Sequence, residues 1–511
     1  MMNRREGGGW GAVRLLVLAA ALGCCLWLAW NVPYTHDDWD WGQPIGLEWW
    51  RTGAMNNRYA GSFFAVVMTR SRLVKTLVMG GVMFALPLLA AAAAAPGRDR
   101  TALCLLGGGL LTAMPAVSWR QTYGWVSAFS NFVVLGVWML LLLLLARRWV
   151  VEGKGGWREA LLLFLLALTG QLFAENVTVL AAAAAAGLAV WSWRRGRGRL
   201  AALSLLAGAL AGLAVMFYNP LYGDLAAGGQ ALDGIRRLTF SPEDGVVNIL
   251  HVLLRRYFGQ ILPSLLESYP VIWGAVCAGV LLAAGRRVPR AVLAAAGVFC
   301  GAAAIHGGWV IENLRIDYNW THPCPLLRAA LPLGTVILLA LGLVLGMGWR
   351  AWLPRLCLLG GALALMLPFA ALDENGPRCG FPSAILLLVL ALSLLADVRW
   401  EKAGTVCAGI FLAATLAFHV QIFQVIGDCY ALRMELQREA VEQGAERVVL
   451  PTEAYRYYYT WGHNPQGPER ADSYRGFYGL PEDMELVFLP PGSYDVWPEV
   501  TQEMLEEASC F

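Results

Sequence analysis

Apolar residues gather along the chain in thirteen runs, most of about 17 to 24 residues, the length a helix needs to cross a bilayer. They lie near 11–30, 74–95, 101–117, 131–147, 159–174, 177–193, 200–217, 262–284, 289–305, 328–348, 352–371, 382–397 and 403–425. The polar stretches between them are of two alternating kinds. One kind is short and basic. The other is long and holds most of the aromatic, His and acidic residues outside the runs. That pattern predicts a polytopic all-α membrane protein of about thirteen spans, with residues 1–425 as the transmembrane domain and 426–511 as a separate C-terminal domain.

Composition sharpens this. The chain of 511 residues is 58% hydrophobic and only 15% charged, too little charge to cover a soluble protein of this length. A cytosolic enzyme, a disordered chain and a disulfide scaffold are excluded. Seven of the eleven Cys sit inside apolar runs, where they read as small packing residues. The net charge of +3 matters less than its distribution. One alternate set of connections holds 20 Lys and Arg in short loops, and the other set holds 13 in much longer ones. Excess Lys and Arg mark the cytoplasmic side. The N-terminus is therefore expected inside, the C-terminus outside, and the first run as an uncleaved span of the plasma membrane.

The inner loops leave no room for a nucleotide site, and no GxxxxGK[ST] occurs, so any chemistry is expected on the outer face. The tail carries 16 Asp or Glu and no Lys. Asp428 is read as the cap of a helix to about Gln443, followed by short strands at Arg447–Leu450 and Glu485–Leu489. This makes the tail a small extracytoplasmic α/β cap. Its tract Tyr455–Trp461 reads as a packed aromatic face, with stacking on sugar rings as the alternative.

The first outer loop opens Tyr34-Thr35-His36-Asp37-Asp38-Trp39-Asp40-Trp41. Three carboxylates within four residues beside a span are costly near hydrocarbon, and Trp39 and Trp41 place the turn at the interface. Two adjacent Asp repel, so one holds a raised pKa unless a cation lies between them. An oriented carboxylate is what a general base requires; a solvated charged turn is the plain alternative. Residues 43–70 then fit one or two helices lying in the outer interface, and they include Asn57-Arg58. Glu175 sits between two very apolar runs and reads either as functional or as half of a structural pair. Arg120, Tyr318 and His322 stand in other outer loops. Arg378 is the lone cation of the loop 372–381, at the depth of a lipid phosphate, which a guanidinium holds through two parallel hydrogen bonds. A salt bridge to Asp373 or Glu374 is its alternative. The six His show no i,i+4 pair, so no metal signature exists beyond the Asp cluster.

These features together resemble the GT-C type of integral-membrane glycosyltransferase, close to the bacterial multi-pass groups that decorate surface glycans. The resemblance rests on Asp37-Asp38, Asn57-Arg58 and Pro377-Arg378 within the whole-chain architecture. It implies inverting transfer of a sugar from a polyprenyl-phosphate donor to a glycan or lipid acceptor outside. It implies Asp37 or Asp38 as catalytic base and Arg378 on the donor phosphate. Arg58, Glu175, Arg120, Tyr318 and His322 are the further substrate-binding candidates. Asp40 departs from the pattern, because a third carboxylate blurs which acid is the base. A divalent cation at Asp37 and Asp38 is the only cofactor the pattern admits, the partners beyond substrates are membrane lipids, and nucleic acid is not expected. A lipid-linked glycan polymerase or ligase, or a transporter or flippase of lipid-linked sugars, are the alternative readings.

Overall fold

The computed structural model describes the chain apart from residues 1–6, 98–99, 229–236, 242, 285–287, 290, 293, 300, 303–324, 374, 399–401, 453–458, 462–463, 466 and 490–511. Among the described residues, eight helices are long and apolar enough to cross a membrane: Arg72–Ala94, Val126–Val151, Glu175–Arg195, Arg199–Phe217, Leu326–Gly346, Trp349–Ala371, Pro377–Leu395 and Lys402–Gln443. The chain is thus an all-helical, polytopic, membrane-embedded protein.

Among the described residues, five of the thirteen expected runs do not form one of these eight helices. The run at 101–117 forms a helix only over Thr101–Thr112, because Met114 precedes Pro115 and a residue before proline resists helical geometry. The run at 159–174 forms Trp157–Gly170, 14 residues. The run at 262–284 is broken. Val246–Ser268 and Pro270–Ala284 meet at 88°, with Tyr269 out of helical geometry at the joint. Pro270 has no N–H to continue the ladder, and the Tyr269 hydroxyl instead donates to the Pro377 carbonyl at 2.6 Å. The run at 289–305 lies partly outside the described residues.

Pro377–Leu395 is the hub. It is apolar all round, and 83% of its span is buried against its neighbours, whereas the other spans bury 28–50%. Helices of the periphery keep Leu73, Leu161 and Leu341 exposed on their outer faces, as lipid contact requires. Close helix contact comes from small residues. Gly208 and Gly212, one turn apart on Arg199–Phe217, lie against the Phe164 and Leu168 carbonyls of Trp157–Gly170, where any side chain would collide with backbone.

Residues 43–70 form two helices, Pro44–Thr52 and Tyr59–Arg70. The tail differs from expectation at its start. Lys402–Gln443 is one unbroken helix of 42 residues that runs straight through position 425, and Asp428 sits in its middle, accepting from Gln424 Nε2 rather than capping anything. The strands Arg447–Leu450 (β1) and Glu485–Phe488 (β2) pair in parallel, Arg447 opposite Glu485 and Leu450 opposite Phe488. The helix Pro468–Tyr478 connects them in sequence. Arg433 ties this unit to the long helix, donating to the Tyr474 hydroxyl at 3.0 Å from a fully buried position.

Candidate functional site

The first helix, Gly7–Asn31, is followed by a sharp turn into a five-residue helix, Asp38–Gly42. Buried groups pin that turn. Lys75, from the helix Arg72–Ala94, donates to the Val32 carbonyl beneath the Tyr34 ring. The Tyr34 hydroxyl donates to Met68 O at 3.0 Å, and Trp39 Nε1 donates to Tyr34 O at 3.1 Å. The two acids that follow are therefore fixed in depth and direction, and they receive different environments.

Asp38 is fully buried. Its Oδ1 accepts from the Ser127 backbone N–H at 2.8 Å and from the Ser127 hydroxyl, and its Oδ2 accepts from Thr35 N at 3.0 Å. Ser127 stands in the first turn of Val126–Val151, so Asp38 caps that helix from across the fold, at the end where the helix dipole favours an anion. Burial, reinforced by the neighbouring charge of Asp37, nevertheless pushes the Asp38 acid up to about 8 against the pull of Ser127 and Thr35.

Asp37 keeps 30% of its side chain exposed. It occupies the N-cap position of its own short helix, yet its side chain makes no cap hydrogen bond. It turns away instead, and Oδ1 accepts from Trp125 Nε1 at 2.8 Å. Burial acts to raise this acid, but the His36 imidazole 3.7 Å away, the Trp125 N–H and the charge of Arg470 outweigh it. Asp37 lies below the usual carboxylate range. The two acids are thus pushed in opposite directions: Asp38 is sealed and raised, and Asp37 is half-buried and lowered.

The remaining acid of the cluster, Asp40, faces the tail. Its Oδ2 accepts from Arg470 at 2.7 Å. Gln43 Nε2 donates to Ser473 O at 2.8 Å, Phe477 packs edge-on to Tyr34 at 5.2 Å, and Tyr474 packs edge-on to Trp39 at 5.0 Å. The helix Pro468–Tyr478 therefore roofs the first loop. The tail reaches the site a second time through Trp461, which stacks on Trp125 at 5.0 Å and 9°, its backbone N–H on Gly124 O.

Two of the expected cations join this stack. Arg378 lies over the Trp125 ring at 5.2 Å and donates to Gln121 Oε1 at 3.4 Å. It is in the first turn of the hub helix, not in a loop, because Pro377 suits the first helical position. Asp373, one of its proposed partners, is instead 3.5 Å from Arg256. Arg120 lies over the Trp461 ring at 5.2 Å. Arg58 and Glu175 meet each other. Arg58 Nε lies 3.0 Å from both carboxylate oxygens, its Nη2 lies 2.7 Å from Oε2, and the Tyr222 hydroxyl donates to Oε1 at 2.7 Å. Tyr318 and His322, with the tyrosines at 455–458, lie outside the described residues.

Both Asp38 oxygens accept from N–H or O–H donors. No group of three or more His, Cys, Asp or Glu suited to a metal occurs among the described residues. Sequence reading missed Ser127, Trp125 and Arg470, and it named Trp461 only as part of the aromatic tract, without its partner Trp125. Trp125 carried a signal, as an aromatic in an outer loop. Ser127 and Arg470 carried none, since their roles come from contacts across 89 and 430 residues of chain. No family model, curated protein or solved structure matches the chain.

Proposed function

We propose that the protein is a membrane glycosyltransferase of the GT-C type, which moves a sugar from a polyprenyl-phosphate donor to a cell-envelope acceptor on the outer face of the plasma membrane, with thirteen crossings and the tail outside. The observation that carries the reading is the split between the two acids. Asp38 is buried and tied down on both oxygens, while Asp37 is half-buried, ionised and held by one oxygen.

In this mechanism Asp37 accepts the proton of the acceptor hydroxyl as that oxygen attacks the anomeric carbon, and the bond from that carbon to the donor phosphate breaks with inversion. A base below the usual carboxylate range stays ionised at neutral pH and is placed where the proton develops. The departing phosphate gathers charge near Arg378. A cation in a helix's first turn opposes the helix dipole on its own; with a phosphate present, the guanidinium and the helix N-terminus favour the same anion. The mixed basic and acidic character of the Trp125–Trp461 region supports this placement, with Arg120 as a second cation on the stack. Arg58 and Glu175 serve here as a structural pair beside the site.

Profiling of envelope glycans and their lipid-linked precursors tests the reading. Cells carrying Asp37→Asn should accumulate a charged polyprenyl-phosphate sugar and lose one glycan decoration. Identical profiles in wild-type and Asp37→Asn cells would refute it.

A further inference from the structure

Among the described residues, His36 is the only residue other than glycine with a positive φ, at 53°. Side chains with a Cβ are uncommon in that left-handed region, where Gly leads and Asn, Asp and His are the usual other occupants. Such outliers persist only where the surrounding structure over-determines them, and they concentrate at functional sites. Here the flanking turn is fixed on both sides, by Asp38 N on Thr35 O at 3.0 Å and by Trp39 N on His36 O at 3.4 Å. A glycine or asparagine would make the same turn with less strain.

The His36 side chain points at Asp37. His36 Nδ1 lies 3.7 Å from Asp37 Oδ1, and the imidazole stands edge-on to Trp125 at 6.0 Å and 82°. Trp125 donates to the same Oδ1. Two rings thus flank one oxygen of the carboxylate, and among the described residues no hydrogen bond falls on Oδ2. His36 and Asp37 keep 35% and 30% of their side chains exposed, so this pair is accessible while Asp38 behind it is sealed.

We propose that His36 is the positioning residue of Asp37: the strained turn aims its imidazole at Oδ1, which fixes the carboxylate and directs Oδ2 at the substrate hydroxyl. The part about substrate rests on the glycosyltransferase reading; the hold on the carboxylate does not. The depressed titration of Asp37, in which His36 is the foremost of the lowering influences, is the response such a contact produces. The other charged groups around the pair are Asp38 on the same short helix, Arg470 with Asp40 from the tail, and Arg378 at the Trp125 ring.

The test uses the full chain in nanodiscs, with carbodiimide and an amine as the probe and peptide mass spectrometry as the readout. Carbodiimides attack the protonated acid, so the labelled fraction of Asp37 against pH reports its titration. His36→Asn and His36→Gly both tolerate the left-handed turn and both remove the imidazole. In each, Asp37 labelling at a fixed mildly acidic pH should rise by about three- to tenfold, one pKa unit being tenfold, with sealed Asp38 unlabelled as the folding control. Wild-type labelling in both folded variants would overturn the proposal, leaving His36 as a turn residue only. Transfer assays separate the two claims. Full activity in Asp37→Asn, with the labelling shift intact, refutes the glycosyltransferase reading but not the hold on Asp37. An inactive Asp37→Asn beside a His36→Asn whose pH–rate profile matches wild type refutes the positioning role alone.

Discussion

Breaking the Arg58–Glu175 pair gives a prediction with a magnitude set by geometry. The pair is bidentate, with contacts of 2.7 to 3.0 Å, and the side chains are 18% and 19% exposed. Exposed pairs are worth about 0–1 kcal/mol, while removing one member of a buried pair costs about 3–5 kcal/mol, because the other charge is left without compensation. This pair lies between those limits. Glu175→Ala should cost about 2–3 kcal/mol, and it also strips the Tyr222 hydroxyl of its acceptor. Arg58→Ala should cost a similar amount. The double variant should cost about 2 kcal/mol less than the sum, since either single change already removes the contact the two side chains share. Equilibrium unfolding of the four proteins in mixed micelles, by denaturing detergent, closes the cycle. Additive losses, agreeing within about 0.5 kcal/mol, would show that the two side chains do not serve each other and would return them to the list of substrate ligands.

Two further outcomes follow from the acids and the roof. The folded state holds Asp38 as a neutral acid with a pKa of about 8, above its ordinary value of 3.8, so the unfolded chain releases this proton first as pH rises. Its contribution to stability is fully present below about pH 4 and is lost on the way to pH 8. Asp38→Asn should remove that downward slope, and parallel stability–pH curves for the two proteins would contradict it. At Gly124, an added Cβ would fall on the Tyr459 carbonyl oxygen and crowd the Thr460 backbone. Gly124→Ala should cost about 1–3 kcal/mol of packing and speed proteolysis within residues 459–475, and an unchanged cleavage rate would show that the tail is not docked there.

The fold was legible where the signal was local. Apolar runs located the helices and Arg447–Leu450 was read as the strand the structure has, whereas Pro377, read within a loop, starts a helix. Lengths were less legible. Hydropathy does not register that Pro115 stops one helix early or that Tyr269-Pro270 bends another by 88°. The continuous helix through position 425 was misread for a related reason: the composition changes there, but Phe423–Asp428 holds no Pro, and the single Gly427, at about 1 kcal/mol, is too weak to end the helix. At the site, adjacency in sequence gave Asp37 and Asp38 together but not their opposite fates. Those depend on Ser127 and Trp125, about ninety residues away, and on the tail helix 430 residues away. The reading of Glu175 as functional or paired was left open by the sequence because its partner Arg58 lies 117 residues earlier.

The central claim is that Asp37, and not its buried neighbour, takes the proton. The direct measurement is single-turnover sugar transfer by the purified protein, with membrane-extracted polyprenyl-phosphate sugars as donors, compared across wild type, Asp37→Asn and Asp38→Asn at matched folded fraction. Loss of a general base costs about 10²–10⁴ in rate, so Asp37→Asn should fall by that factor with donor binding retained. Asp38→Asn, once corrected for folding, should keep activity within about tenfold, the smaller effect of a displaced cap on Ser127. Full transfer by Asp37→Asn, or the larger loss in Asp38→Asn, would contradict the account.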